Sequence, residues 1–416
     1  MINLGSKLTF GQGAADWQDR INVTRMREVR MERARQVLRK HDVPAILASG
    51  SPNTRYLTGL IGPEFERQLW YVLFFVEHDP VVFAAAGWLN QMPHDAPWIK
   101  NWRGAHAWLG STCGVEASRA EAKLLAAGVF EELQKRGMAN EKLAVAGFDH
   151  FTSEALKESG LALVNGSLLT LEMRAVKSQD ETNCLKAVAA IVEAGYYKVW
   201  EAIRPGMPDT DLRLIATQAC YQAGIHFSAS PGIRSGPVSL YRGYGNTGRL
   251  IQTGDLVVMS ICGAKYMGYT SCTYRTLIAG RKPNQEEKDA YQRLLERINT
   301  VIDAIRPGST TADAARHFPL ATSWGHQNEA QVLTIDIGHG IGLSTYELPI
   351  INRQWSLDHP QVFEPGMTIA VESMEQLKSG VGGVRLENMV VVTENGAEVI
   401  DHMPREKIME PMMIWG

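Results

Sequence analysis

Three ionisable residues near the end of the sequence sit inside apolar stretches, where such side chains are costly. They are His339 in GHGIG, Glu372 in IAVESM and Glu387 in GGVRLENM. A buried strand that carries His or Glu must pair it, protonate it or use it to hold something. One imidazole and two carboxylates make a donor set for a hard or borderline divalent ion. The same three groups can also pass protons with no ion present. Any one of them alone reads as a partnered core residue. Three on successive strands of one half of the chain read as a site.

The elements that must position them follow from local pattern. QVLTIDIGHGIGLSTYELP, MTIAVESMEQL and VRLENMVVVTENG read as strands, and so do DLVVMSICGAKY and CTYRTLIAG upstream. Before them, Ser178 followed by Asp180 and Glu181 predicts the N-cap of a long amphipathic helix. The sequence also echoes itself. AIRPGMPDTDLR at 202–213 and AIRPGSTTADAAR at 304–316 each end one helical segment and start another. A unit repeated after about 102 residues implies a pseudo-symmetric sheet with helices on one face and a site where the halves meet. The first part of the chain alternates helix (23–41, 118–137) with strand (VPAILASG, LWYVLFFVEHDPVVFAAAG, KLAVAGFD, LALVNGS), which implies a mixed or parallel sheet covered by helices.

At 416 residues the chain is long enough for two domains, and the change of texture near residue 170 divides it into 1–170 and 171–416. A net charge of −3 implies no basic face, so nucleic acid is not an expected partner. No apolar run is long enough to span a membrane, and the first twenty residues lack the pattern of a secretory signal. A cytoplasmic location is expected. The five scattered cysteines (Cys113, Cys184, Cys220, Cys262, Cys272) read as reduced thiols, small and buried, with Cys272 alone a candidate for chemistry.

The motifs GHGIGLxxxE, EPGMxxxxE and RxEN, in that order, resemble the C-terminal half of the pita-bread superfamily: creatinase, prolidase and the aminopeptidases. LEMRAVKSQDE, RPGMPDTDL and GDLVVMSICGAKYMGYTSCTYRT are similar to its earlier blocks, and VPAILASGSPNTRYLTG to the start of the smaller domain of the creatinase and prolidase branch. The resemblance implies an α+β protein with an N-terminal creatinase-like α/β domain and a C-terminal pseudo-symmetric pita-bread domain, working as a homodimer.

The family's metallopeptidases hold two ions with two aspartates, a histidine and two glutamates. His339, Glu372 and Glu387 match three of these ligands. The aspartates do not carry over: Ser260 stands at the first, with one residue inserted before Gly263, and Cys272 stands at the second. An upstream histidine of the family falls at Gly243, beside Tyr244, and another at Tyr346. From these departures a site without metal is expected, with His339, Glu372 and Glu387 doing acid/base work on an amide- or amidine-type C–N bond of a small molecule, as in creatinase. The alternatives are one divalent ion (Zn, Fe or Mn) on Cys272, His339, Glu372 and Glu387 in an Xaa-Pro-type dipeptidase, a lyase related to dimethylsulfoniopropionate lyases, and a non-enzymatic peptide-binding protein. Arg55, Arg67, Trp70, Tyr244, Tyr346 and Arg385 are the expected substrate contacts, with arginine suited to clamping a carboxylate.

Overall fold

The computed structural model describes residues 21–62, 69–227, 231–240, 247–333 and 335–412. It divides into two compact units, Asn22–Arg174 and Ala175–Gly416. A helix, Gly166–Ala175, runs through residue 170, so the division falls at its end and not at its start.

The first unit opens with the helix Val23–Lys40, capped by the Asn22 side chain, which accepts from Arg25 N at 3.0 Å. Among the described residues its strands are β1 (Ala45–Ser49), β2 (Trp70–Phe75), β3 (Val81–Ala84), β4 (Asn101–Gly104), β5 (Lys142–Ala146) and β6 (Ala162–Asn165), in the order β4-β3-β2-β1-β5-β6. β2 is antiparallel to β1 and β3, and the other neighbours are parallel, so the sheet is mixed. Leu125, Val129 and Leu133 of the helix Val115–Lys135 cover its Leu47, Leu73 and Phe75.

The second unit is built on the echoed pattern. The helices Gln179–Ala202 and Gln285–Ala304 both start with reciprocal capping boxes, Ser178 with Glu181 and Asn284 with Glu287. Both stop one residue before an Arg-Pro-Gly turn, and shorter helices follow, Asp209–Gln222 and Thr311–Ala315. The strands are β7 (Gly232–Ser235), β8 (Leu256–Ser260), a short ribbon of β9 (Lys265–Tyr266) and β10 (Tyr269–Thr270), β11 (Tyr274–Ile278), β12 (Ile337–Gly340), β13 (Glu347–Ile351), β14 (Thr368–Gln376), β15 (Gly383–Thr393) and β16 (Gly396–Val399). Apart from the ribbon they form one sheet, β13-β12-β14-β15-β11-β8-β7, with β16 added to β15.

Alternation along β14 and β15 decides what each face of this sheet carries. Ile369, Val371, Val384, Leu386, Val390 and Val392 pack with Leu294, Ile298 and Val301 of the helix Gln285–Ala304. The residues between them, Glu372, Arg385 and Glu387, therefore point to the other face.

Candidate active site

Register gathers the ionisable residues. Glu372 of β14 is paired directly with Glu387 of β15, Ile337 of β12 is paired with Glu372, and Tyr274 of β11 with Glu387. Directly opposed residues share a face, and so do residues two apart. His339, Glu372, Arg385, Glu387 and Tyr274 consequently lie on one side of four neighbouring strands.

His339 is 1% exposed. The glycines beside it allow strands to approach closely: a Cβ at Gly340 would strike the Leu348 carbonyl of β13. His339 Nδ1 lies 3.2 Å from Gly340 O. A carbonyl only accepts, so Nδ1 carries a proton, and in the neutral ring Nε2 offers a lone pair. That lone pair faces Glu387 Oε1 at 3.6 Å. Glu387 is fully buried, and its Oε1 has no hydrogen-bond partner. Two acceptors facing each other in a dry site call for a cation or a proton between them.

Two sulfurs complete the group. β8 and β11 pair Ser260 with Tyr274. Beyond the strand ends, Ile261 N donates to Thr273 O at 3.1 Å and Gly263 N to Ser271 O at 2.8 Å. The register therefore continues, and Cys262 stands opposite Cys272. Tyr196 of the helix Gln179–Ala202 clamps this extension. Its hydroxyl donates to Thr273 O at 2.7 Å and accepts from Ile261 N at 3.2 Å, and burial pushes its pKa well up. Cys262 Sγ lies 3.7 Å from Glu387 Oε2. Among the described residues, Cys262, Cys272 and Glu387 are the one group of three His, Cys, Asp or Glu donors whose ligand atoms all fall within 4.8 Å of one another. A hydrogen bond with Cys262, then burial, holds the Cys272 thiol well above its ordinary pKa.

Cys262 was read from the sequence as a small buried hydrophobe. It is half-buried and turned to the carboxylate, while the Ser260 hydroxyl leans toward β7, where it fills the space a side chain at Gly232 would need. The signal available in the sequence was the one-residue insertion that the resemblance implies before Gly263; the register places Cys262 opposite Cys272. Cys113 is exposed, unlike the buried thiol expected.

The expected substrate contacts divide. Tyr346, half exposed, lays its ring 4.5 Å from that of His339 and so borders the site. Arg385 is buried, with Nη2 at 3.6 Å from Glu372 Oε2 and its guanidinium 4.6 Å over the Tyr274 ring. It neutralises charge inside the site rather than presenting a free fork. Arg55 (4% exposed) and Trp70 (1% exposed) belong to the first unit and are buried there. Arg67 and Tyr244 lie outside the described residues. Glu347, the glutamate of GHGIGLxxxE, makes a fully buried ion pair with Lys177 at 3.0 Å.

The opposite face carries polar groups of another kind. Asp336 accepts from Trp324 Nε1 at 2.7 Å and from the Ser373 hydroxyl, and Arg297 Nη1 donates to Ser373 Oγ at 3.0 Å. Arg293 and Arg297 both reach Glu375, at 2.9 and 2.7 Å. Burial raises the Asp336 pKa to about 6 against the opposing pull of Ser373 and Arg297.

Residues 183–394, just over half of the chain, match the model of metallopeptidase family M24. The chain belongs to metallopeptidase family M24. It is 31% identical over 242 residues to the probable dipeptidase PepE of Mycobacterium bovis, covering 58% of this chain and 62% of that protein. To the Xaa-Pro dipeptidase of Pyrococcus horikoshii it is 27% identical over 244 residues, covering 57% and 65%. The chain thus spans just under two thirds of the length of these relatives. An Xaa-Pro dipeptidase structure from Bacillus anthracis superposes with a TM-score of 0.73 at 23% identity, covering 93% of this chain and 99% of that one. That likeness shows the fold: the pita-bread architecture with its N-terminal domain.

Membership of a metallopeptidase family overturns the expectation that the site needs no metal. The residues present fit an ion at one place. Glu387 Oε1, buried and unbonded, faces the His339 lone pair, with two sulfurs beside the same carboxylate. The residues that the resemblance leads one to expect at the family's two aspartates are Ser260 and Cys272, and neither is a carboxylate.

Proposed function

We propose that this chain is a metal-dependent hydrolase of small peptides, of the Xaa-Pro dipeptidase type, that cleaves a C–N bond. The observation that carries the reading is the pair of facing acceptors, His339 Nε2 and Glu387 Oε1, 3.6 Å apart in a buried site. Family membership and the dipeptidase relatives support it. Glu387 and His339 would hold the ion, which when bound supplies Lewis-acid polarisation of a carbonyl and a more acidic water.

The chain's own residues do the rest. Gly340 O fixes the His339 tautomer so that Nε2 faces inward. Arg385 sets a positive charge beside Glu372, which is placed to take a proton from water and return it to the leaving nitrogen. Tyr346 walls one side of His339 and keeps bulk water off it. A small dipeptide is the proposed substrate and a cytoplasmic homodimer the proposed form. Among the described residues no helix is long and apolar enough to cross a membrane. The test is hydrolysis of Xaa-Pro dipeptides by protein stripped of metal and then reloaded. Turnover that appears only on reloading, and that prefers Xaa-Pro to Xaa-Ala, supports the reading; release of proline at full rate in excess chelator overturns it.

A further inference from the structure

We infer that Cys262 and Cys272 are a thiol pair that, on giving up their protons, makes this centre with Glu387 a site for a thiophilic divalent ion of the zinc class instead of the hard-ion, carboxylate-rich site implied by the family resemblance. The inference rests on the reading of the chain as a metal-dependent hydrolase and names the ion it takes. The geometry carries it in three steps. Cys262 and Cys272 stand opposite each other in the extended β8/β11 register, held there by Tyr196 on both backbones. Their sulfurs and a Glu387 oxygen lie within 4.8 Å of one another, a spread that one ion can bridge after small side-chain rotations. Glu387, fully buried, keeps one oxygen without a hydrogen-bond partner and aims it at the His339 lone pair.

A carboxylate for thiol exchange changes preference as well as geometry. Thiolates with one imidazole and one carboxylate suit zinc, whereas manganese prefers oxygen donors. Loading balances as follows: the two S–H bonds break, two metal–sulfur bonds form, and two protons leave to solvent. Cys262 is a second sulfur beside Glu387 and Cys272.

The experiment uses the full chain in reductant, stripped of metal and titrated with Co²⁺ as a spectroscopic probe. A sulfur-to-cobalt charge-transfer band in the near ultraviolet is expected, saturating at one ion per chain, smaller in Cys262→Ser and in Cys272→Ser and absent from the double variant. Zn²⁺ should displace Co²⁺ and Mn²⁺ should not. Each single variant should bind Zn²⁺ weaker by at least the roughly tenfold that loss of even an outer partner costs. Bound Co²⁺ without the band, or a band unchanged in the double variant, overturns the inference while leaving the hydrolase reading intact. A band with no Xaa-Pro hydrolysis by the zinc-loaded enzyme does the reverse: it supports the thiolate site and sinks the peptidase. Should the variants fail to fold, X-ray absorption on the zinc-loaded wild-type protein decides. Two sulfur neighbours support the pair, and nitrogen and oxygen neighbours alone overturn it.

Discussion

The two faces of the C-terminal sheet both carry polar side chains that are buried or partly buried, and treat them differently. On the helix face Asp336, Ser373 and Glu375 each have partners, supplied by Trp324, Arg293 and Arg297. On the other face Glu387 keeps an oxygen without a hydrogen-bond partner, turned toward a histidine lone pair. Alternation along the same strands separates the two sets by one residue: Ser373 follows Glu372, and Asp336 precedes Ile337, which shares a face with His339. Closed polar networks hold a fold together, and incomplete ones mark a place prepared for something else. Substitutions on the two faces should therefore move different observables.

Glu387→Gln should give the largest effect. Activity is expected to fall by at least about a hundredfold, the upper end of what loss of an outer partner of a metal ligand costs, with Tm unchanged or slightly raised because a buried carboxylate with an unbonded oxygen is gone. Paired activity and thermal-melt measurements check this, and a large drop in Tm would place Glu387 with the structural network after all.

Asp336 comes next and acts through pH. Its pKa rises from an ordinary 3.8 to about 6 in the folded state. Below about pH 4 both folded and unfolded chains hold this proton. Between about 4 and 6 the folded chain keeps a proton that the unfolded chain has released. Stability from this group thus falls as pH rises through that window and is level above it. The shift corresponds to about 3 kcal/mol. Denaturant melts at pH 4 and pH 7 should show this component in the wild type and lose it in Asp336→Asn.

Arg297→Ala removes one charge-assisted hydrogen bond to Glu375 and bonds to Ser373 Oγ and Met374 O. A loss of roughly 1.5–3 kcal/mol in unfolding free energy is expected, with turnover per folded molecule unchanged. The smallest effect belongs to Tyr346→Ala. Losing a half-exposed ring contact of about 0.5–1.5 kcal/mol should change kcat/KM by at most about tenfold. A larger loss would make Tyr346 part of the chemistry.

Much of the site was legible in sequence because its chemistry sits in strand motifs with a fixed period. GHGIG, IAVESM and GGVRLENM place His339, Glu372, Arg385 and Glu387 on the face left free by apolar alternation, and the N-cap at Ser178 marks a helix behind them. Cys262 was not legible, because its role depends on a register carried across two strands beyond their regular ends. Nor was the role of Arg385 readable: spacing gives its face, and only packing shows that Glu372 and Tyr274 take its charge. Arg55 and Trp70 are expected substrate contacts by type, and spacing alone could not show that both side chains are buried.

The most direct test of the metal-dependent reading is a titration of metal-free protein with Zn²⁺ while following proline release from an Xaa-Pro dipeptide. Activity that climbs to a plateau at one ion per chain, and that a chelator removes, is the predicted result. Full turnover by the stripped protein in excess chelator would contradict the account and return the chemistry to His339 and the two glutamates alone.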